Sequence, residues 1–176
     1  MNRQSPPLAF HILKWVTVIV LIGICVKAGS ILISLAVSLF INPVAAGKLY
    51  MGLDLSALFK YDRMQYLIVV GMLLGLTFLK LRLVYDLSTV FKVLDIERPF
   101  SGKVYVIIRR MASTALTAGI LAVVASKYTQ QLNKRGVVIP IEWAAEEILI
   151  FAASLMVISW VFKRGIEMEN EQSLTV

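Results

Sequence analysis

Apolar positions run almost without interruption through four stretches of the chain, at about 15–41, 66–84, 104–126 and 143–161. About 20 consecutive apolar residues span a bilayer core, so each stretch predicts a transmembrane helix. Little chain remains between them, and residues 1–176 read as a single membrane domain. The expected fold is all-α: an integral membrane four-transmembrane-helix bundle. The first stretch is too long for the 7–15-residue core of a signal peptide. Asn42-Pro43 ends it, because a residue before proline is pushed out of the helical region.

Between the spans the pattern changes from continuous to periodic. Leu83, Val84, Leu87, Val90, Phe91 and Leu94 recur at helical spacing. They predict a cytoplasmic helical extension over 85–97, stopped by Pro99. Ser101 is placed to cap the third helix, with Phe100 stapled against Tyr105. Leu55, Leu58, Phe59 and Tyr61 suggest a short interfacial helix lying on the outer leaflet. Trp143 and Trp160 bracket the fourth span, where interfacial tryptophans belong. A C-terminal tail occupies 163–176, ending in a short extended segment.

Charge adds a direction. Of 18 basic residues, eleven fall on the side of the N-terminus, the stretch from Lys80 to Arg110 and the C-terminus, against six in the two opposite loops. Lys27, inside the first span, is the remaining one. This excess predicts an N-in/C-in topology in the bacterial cytoplasmic membrane. The net charge of +7 therefore points to the lipid bilayer as partner, not to direct nucleic-acid binding, which needs a basic face on a soluble fold. Lys92, Arg98, Lys103, Arg109 and Arg110 are explained by anionic lipid alone.

Two groups of polar residues stand out against the apolar background. Gly23, Lys27, Ser30, Ser34 and Ser38 share one face of the first helix. A lysine there costs about 2.5–3.5 kcal/mol on insertion scales. The face is either an ion or ligand site, or a lysine that pairs with a carboxylate or snorkels outward. Glu142, Glu146 and Glu147 stand at the entry of the fourth span, with Glu142 and Glu146 at helical i, i+4 spacing. They suit a helix N-terminus, and the deeper pair is a candidate proton- or cation-sensitive cluster. Gly71 and Gly75 form a GxxxG pattern. Ala115, Ala118, Ala122 and Ala125 make a small face, which permits close packing within one chain or in a homo-oligomer.

Catalysis finds no equipment. His11 is the single histidine, and no His/Cys/Asp/Glu group has metal-ligand spacing. No phosphate loop or nucleophile elbow occurs. The expectation is a non-enzyme with no catalytic residues, no metal and no cofactor.

Two stretches carry a resemblance. One is Arg98-Pro99-Phe100-Ser101-Gly102-Lys103. The other is the tail from Phe162 through Arg164-Gly165 and Glu167 to Leu174-Thr175-Val176. Together they resemble a family of four-span bacterial membrane proteins catalogued only as a domain of unknown function. Its members tend to carry Pro-Phe-Ser at this turn and a similar tail. The resemblance implies a regulatory membrane protein that holds a cytoplasmic helix-turn-helix transcription regulator. The candidate partner surface is then Phe91, Leu94, Arg98, Pro99, Phe100, Ser101, Arg164 and Glu167. The alternative is a small transporter, channel or immunity-type protein that uses Lys27, Ser30, Ser34, Glu142, Glu146 and Glu147.

Overall fold

A computed structural model describes residues 8–94 and 100–173. The elements are α1 (Leu8–Phe40), a 3-10 turn (Pro43–Gly47), α2 (Ser56–Tyr61), α3 (Arg63–Val93), α4 (Gly102–Lys134) and α5 (Ala145–Ser173). α1, α3, α4 and α5 are long and apolar enough to cross a membrane. The all-α four-helix membrane fold expected from the apolar runs is the one observed.

Each long helix has a local reason to start or stop. Asp62 caps α3, its Oδ1 accepting from the Met64 amide at 2.7 Å. Ser101 caps α4 through the Val104 amide, as expected. α3 ends at Val93, with Leu94 extended at φ −66°, ψ 117°. The extension was expected to continue to Glu97, so the helix stops short. Asp95 to Pro99 lie outside the described residues.

The spanning helices pack in chain order. α1 lies on α3, α3 on α4 and α4 on α5, and among the described residues α1 meets neither α4 nor α5. The bundle is therefore an open row with grooves along it. The start of α1, the end of α3, the start of α4 and the end of α5 share one end, here the terminal end. There, Phe10 meets Phe91 edge-on at 5.3 Å and Phe100 meets Phe162 at 5.4 Å. The other end carries the two longer connections and is the loop end.

Small residues set the α3–α4–α5 spacing. Ala115, Ala118, Ala122 and Ala125 are all fully buried. In lipid, helix association depends on close packing more than on burial from water, so an alanine face is a cohesive one. The GxxxG pair divides: Gly75 lies against Leu121 of α4, while Gly71 has open space beside it.

Most of the core sits toward the loop end, and the connection after α1 is part of it. Ala46, Leu49, Leu55 and Leu58 are fully buried. The Leu55 amide donates to the Ala46 carbonyl at 2.9 Å, and the Leu49 amide to the Leu53 carbonyl at 3.1 Å. The short helix expected on the leaflet surface does form, as α2. Its Leu58 and Phe59, with the preceding Leu55, face inward instead, and only Tyr61 of the group is well exposed. Backbone folded back on itself satisfies its own amides, so the segment can leave water and pack. Trp143 departs from expectation in the same way. It is buried, its indole donating to Thr129 Oγ1 at 3.0 Å. Trp160 stays exposed on α5.

Candidate functional site

The polar face of α1 is built for the loop behind it. Ser30 Oγ donates to the Leu49 carbonyl at 3.0 Å, and Ser34 Oγ reaches the same oxygen at 3.2 Å. Ser38 Oγ, buried, lies 2.9 Å from the Tyr66 hydroxyl. Lys27 Nζ sits 5.6 Å from the centre of the Tyr50 ring, within cation–π range. Lys27 thus leans toward the loop end and ends on an aromatic face of the folded-back segment. The stripe seats residues 48–50 against α1, a task that uses its hydroxyls.

The acidic group is separate from it. α5 begins at Ala145, after Ala144 at φ 52°. Glu142 therefore precedes the helix, and its expected i, i+4 relation to Glu146 does not form. A left-handed alanine is costly, so the chain turns sharply into α5 at this point. Glu146 and Glu147 occupy the first turn, where free amides favour carboxylates. All three glutamates line a 410 Å3 cleft at the loop end, with Thr129, Gln130 and Asn133. Lys27, Ser30 and Ser34 do not line that cleft, so the six residues expected as one intramembrane site form two.

Glu147 also borders a second, largely apolar groove of about 330 Å3 along α3, α4 and α5, with Ile24 of α1 at its edge. The other charged residue there is Lys80. Sequence reasoning assigned Lys80 only to the basic count. Its spacing of 17 residues from Arg63, about 26 Å along a helix, was the available signal that it lies within the membrane thickness.

The strongest polar contact was also missed. Asp86 on α3 is buried, and Arg110 on α4 holds it through two nitrogens, with Nε at 3.0 Å from Oδ2 and an Nη2–Oδ1 bond. Arg110 was expected to serve lipid alone; it is half of a forked ion pair. Arg109 points elsewhere, into a shallow cleft with Ser113 and Ser159. A hairpin centred near residue 98 sets position 86 opposite 110, which was the sequence clue.

The expected partner surface is partly consumed by packing. Leu87, Val90 and Val93 pack on the α4 cluster around Ile107 and Met111, and Phe91 meets Phe10 of α1. The α3 extension is therefore not a projecting apolar face. A face at helical spacing serves equally well against a neighbouring helix, and α4 is the neighbour. Leu94 and Ser101 are half-buried beside it. Arg98 and Pro99 lie outside the described residues.

Phe100, expected against Tyr105, instead lies on α5. Its ring sits against Phe162 and directly over Gly165. α5 continues past this contact as helix to Ser173, and the short extended end expected at Leu174 to Val176 lies outside the described residues. Lys163 and Arg164 approach Glu167 at 3.9 and 3.0 Å. Arg164 also lies 5.8 Å from the Trp160 ring. A Cβ on Gly165 would stand 2.5 Å from the Phe100 ring. Gly165→Val should therefore displace Phe100 and cost about 1–3 kcal/mol, read as an earlier thermal melt in detergent. Gly23→Ala, with nothing within 4 Å, should leave the melt unchanged.

On the loop, the Ser56 hydroxyl and amide hold the Asp54 carboxyl below the usual carboxylate range, with Lys60 assisting. The support this group lends is present above its unfolded-state value and is lost as pH falls through the folded one.

The fold and these sites define a multi-pass, all-helical membrane protein with a braced helical tail. The chain matches no protein-family model, no curated protein and no solved structure.

Proposed function

We propose that the chain is a regulatory binding protein of the bacterial cytoplasmic membrane, with both termini inside, and not an enzyme. Its partner is a helix-turn-helix transcription regulator held at the terminal end. One observation carries the binding part of this reading. α5 runs unbroken for 29 residues, about 43 Å, against a hydrocarbon core of about 30 Å. At least two turns therefore stand clear of the apolar region as ordered, charged helix. They are steadied at Gly165 by Phe100. An ordered helix with a basic pair followed by acidic residues is a docking element that loses little entropy on binding. The regulator as partner rests on the resemblance of the turn and tail.

A small transporter, channel or immunity-type protein is the second reading. Glu147, which faces both the loop-end cleft and the groove with Lys80, favours it. Against it, the α1 hydroxyls are spent on loop carbonyls.

Two variants test the binding reading: deletion of Glu167 to Val176, and Phe100→Ala. Both should insert normally and lower regulator recruitment to membranes by about tenfold or more, as expected for loss of an aromatic anchor worth ~2 kcal/mol. Unchanged recruitment in both removes this surface. No recruitment by the unmodified protein, with ion flux altered by Glu147→Gln, moves the assignment to transport. An impermeant thiol reagent that labels Ser101→Cys in intact cells, in a Cys25→Ser background, reverses the orientation.

A further inference from the structure

A groove of about 710 Å3 runs between α1, α3 and α4. Leu21 and Cys25 form one wall, and Phe78 and Leu121 the other and the floor. Arg82 and Tyr85 close it toward the terminal end. The groove is thus amphipathic along its length, with a long apolar trough and a guanidinium and a phenol at one mouth. Arg82 and Tyr85 are three residues apart on α3 and share a face, and both are exposed.

Depth identifies what this mouth meets. Arg63 stands at the first residue of α3, at the loop end. Arg82 is 19 residues further on, about 29 Å along the helix axis. A hydrocarbon core is about 30 Å thick. With Arg63 at one headgroup layer, Arg82 reaches the other. The trough extends from Arg82 back toward Gly75 and Leu121, into the hydrocarbon of that same leaflet.

Charge selects the occupant. Among the described residues Arg82 has no carboxylate partner. The nearby carboxylate one turn on, Asp86, is already held by Arg110. A lone guanidinium at headgroup depth is matched by a phosphate, which its fork can engage through two nitrogens.

We propose that this groove is a binding site for one anionic phospholipid of the leaflet at the terminal end. Its phosphate rests on Arg82 and Tyr85, and one acyl chain lies along Leu21, Cys25, Phe78 and Leu121. The site does not depend on which side of the membrane that leaflet faces, nor on the regulator reading. The bound lipid fills the gap left where α1, among the spanning helices, packs on α3 alone, and so joins α1 to α4.

Native mass spectrometry of the full chain, with phosphatidylglycerol and phosphatidylcholine of matched acyl chains, reads the site. One phosphatidylglycerol should be retained about fivefold or more over phosphatidylcholine, the preference expected from one basic residue at a membrane surface. Arg82→Gln should abolish the preference and Arg82→Lys keep part of it. Arg82 is exposed, so neither change threatens the fold. Cys25→Phe, which fills the trough with the charge intact, should remove the bound lipid.

Cys25 supplies an independent readout. Phosphatidylglycerol should slow its alkylation by an apolar maleimide severalfold in the unmodified protein, and not in Arg82→Gln. Equal retention of the two lipids overturns the proposal, as does a preference that survives Arg82→Gln. Lipid bound without protection of Cys25 places it elsewhere. Protection without lipid, accompanied by a dimer mass, assigns the groove to a second copy of the chain.

Discussion

Arg110→Met is expected to destabilise the protein by about 3–5 kcal/mol, the usual cost of removing one partner from a buried ion pair. The loss comes from what remains. Asp86 is 2% exposed at its side chain, while Arg110 is 44% exposed. Without the guanidinium, a carboxylate stays enclosed between α3 and α4 with no cation to offset its desolvation. Asp86→Leu should cost far less, because the freed Arg110 can turn its head toward the terminal end and water. The double variant Asp86→Leu/Arg110→Met should recover most of the loss, since an apolar pair of similar volume is often neutral in place of a buried ion pair. Unfolding in mixed detergent checks all three. Equal losses in the two single variants would show that the pair is not buried asymmetrically, against the geometry described.

Tyr66→Ala is the second large effect. Tyr66 is fully buried, packs edge-on to Phe59 at 5.1 Å and shares a 2.9 Å hydrogen bond with Ser38. It thereby ties α3 to both α1 and α2. Truncating a buried aromatic residue costs about 3–5 kcal/mol in water-soluble cores. The lower end, about 3 kcal/mol, applies here, because helices in lipid gain little from burial as such. Tyr66→Phe should cost about 0.6 kcal/mol, the mean value of a hydrogen bond within a membrane bundle. Ser38 keeps its bond to the Leu35 carbonyl in that variant. Beyond stability, Tyr66→Ala should loosen the folded-back loop, so that a cysteine introduced at Ala46, now fully buried, becomes reactive. A reactive Ala46→Cys in the otherwise unmodified protein would contradict the packed loop.

Apolar run length was sufficient to place the four spanning helices, because a bilayer imposes one length and demands internally satisfied backbone. The Ser101 cap and the alanine face of α4 were equally legible. Both follow from local rules, a side-chain oxygen before a helix and small residues at helical spacing. The Asp86–Arg110 pair was not read from the sequence, although the two positions are equidistant from the turn near residue 98.

The destination of each face was a different matter. Leu55 and Leu58 read as a helix for the leaflet, and the α3 extension as a helix for a partner. Each has the same apolar spacing that packing against its own chain requires. Lys27, Ser30 and Ser34 read as either a site for an ion or ligand or the setting of a paired or snorkelling lysine, and they seat a loop whose carbonyls no local pattern announces. Spacing along one helix states which residues share a face. Only the arrangement of the other helices determines what that face meets. In this protein the arrangement is an open row, so some faces were closed by neighbours and others, such as the Arg82 groove, were left to the membrane.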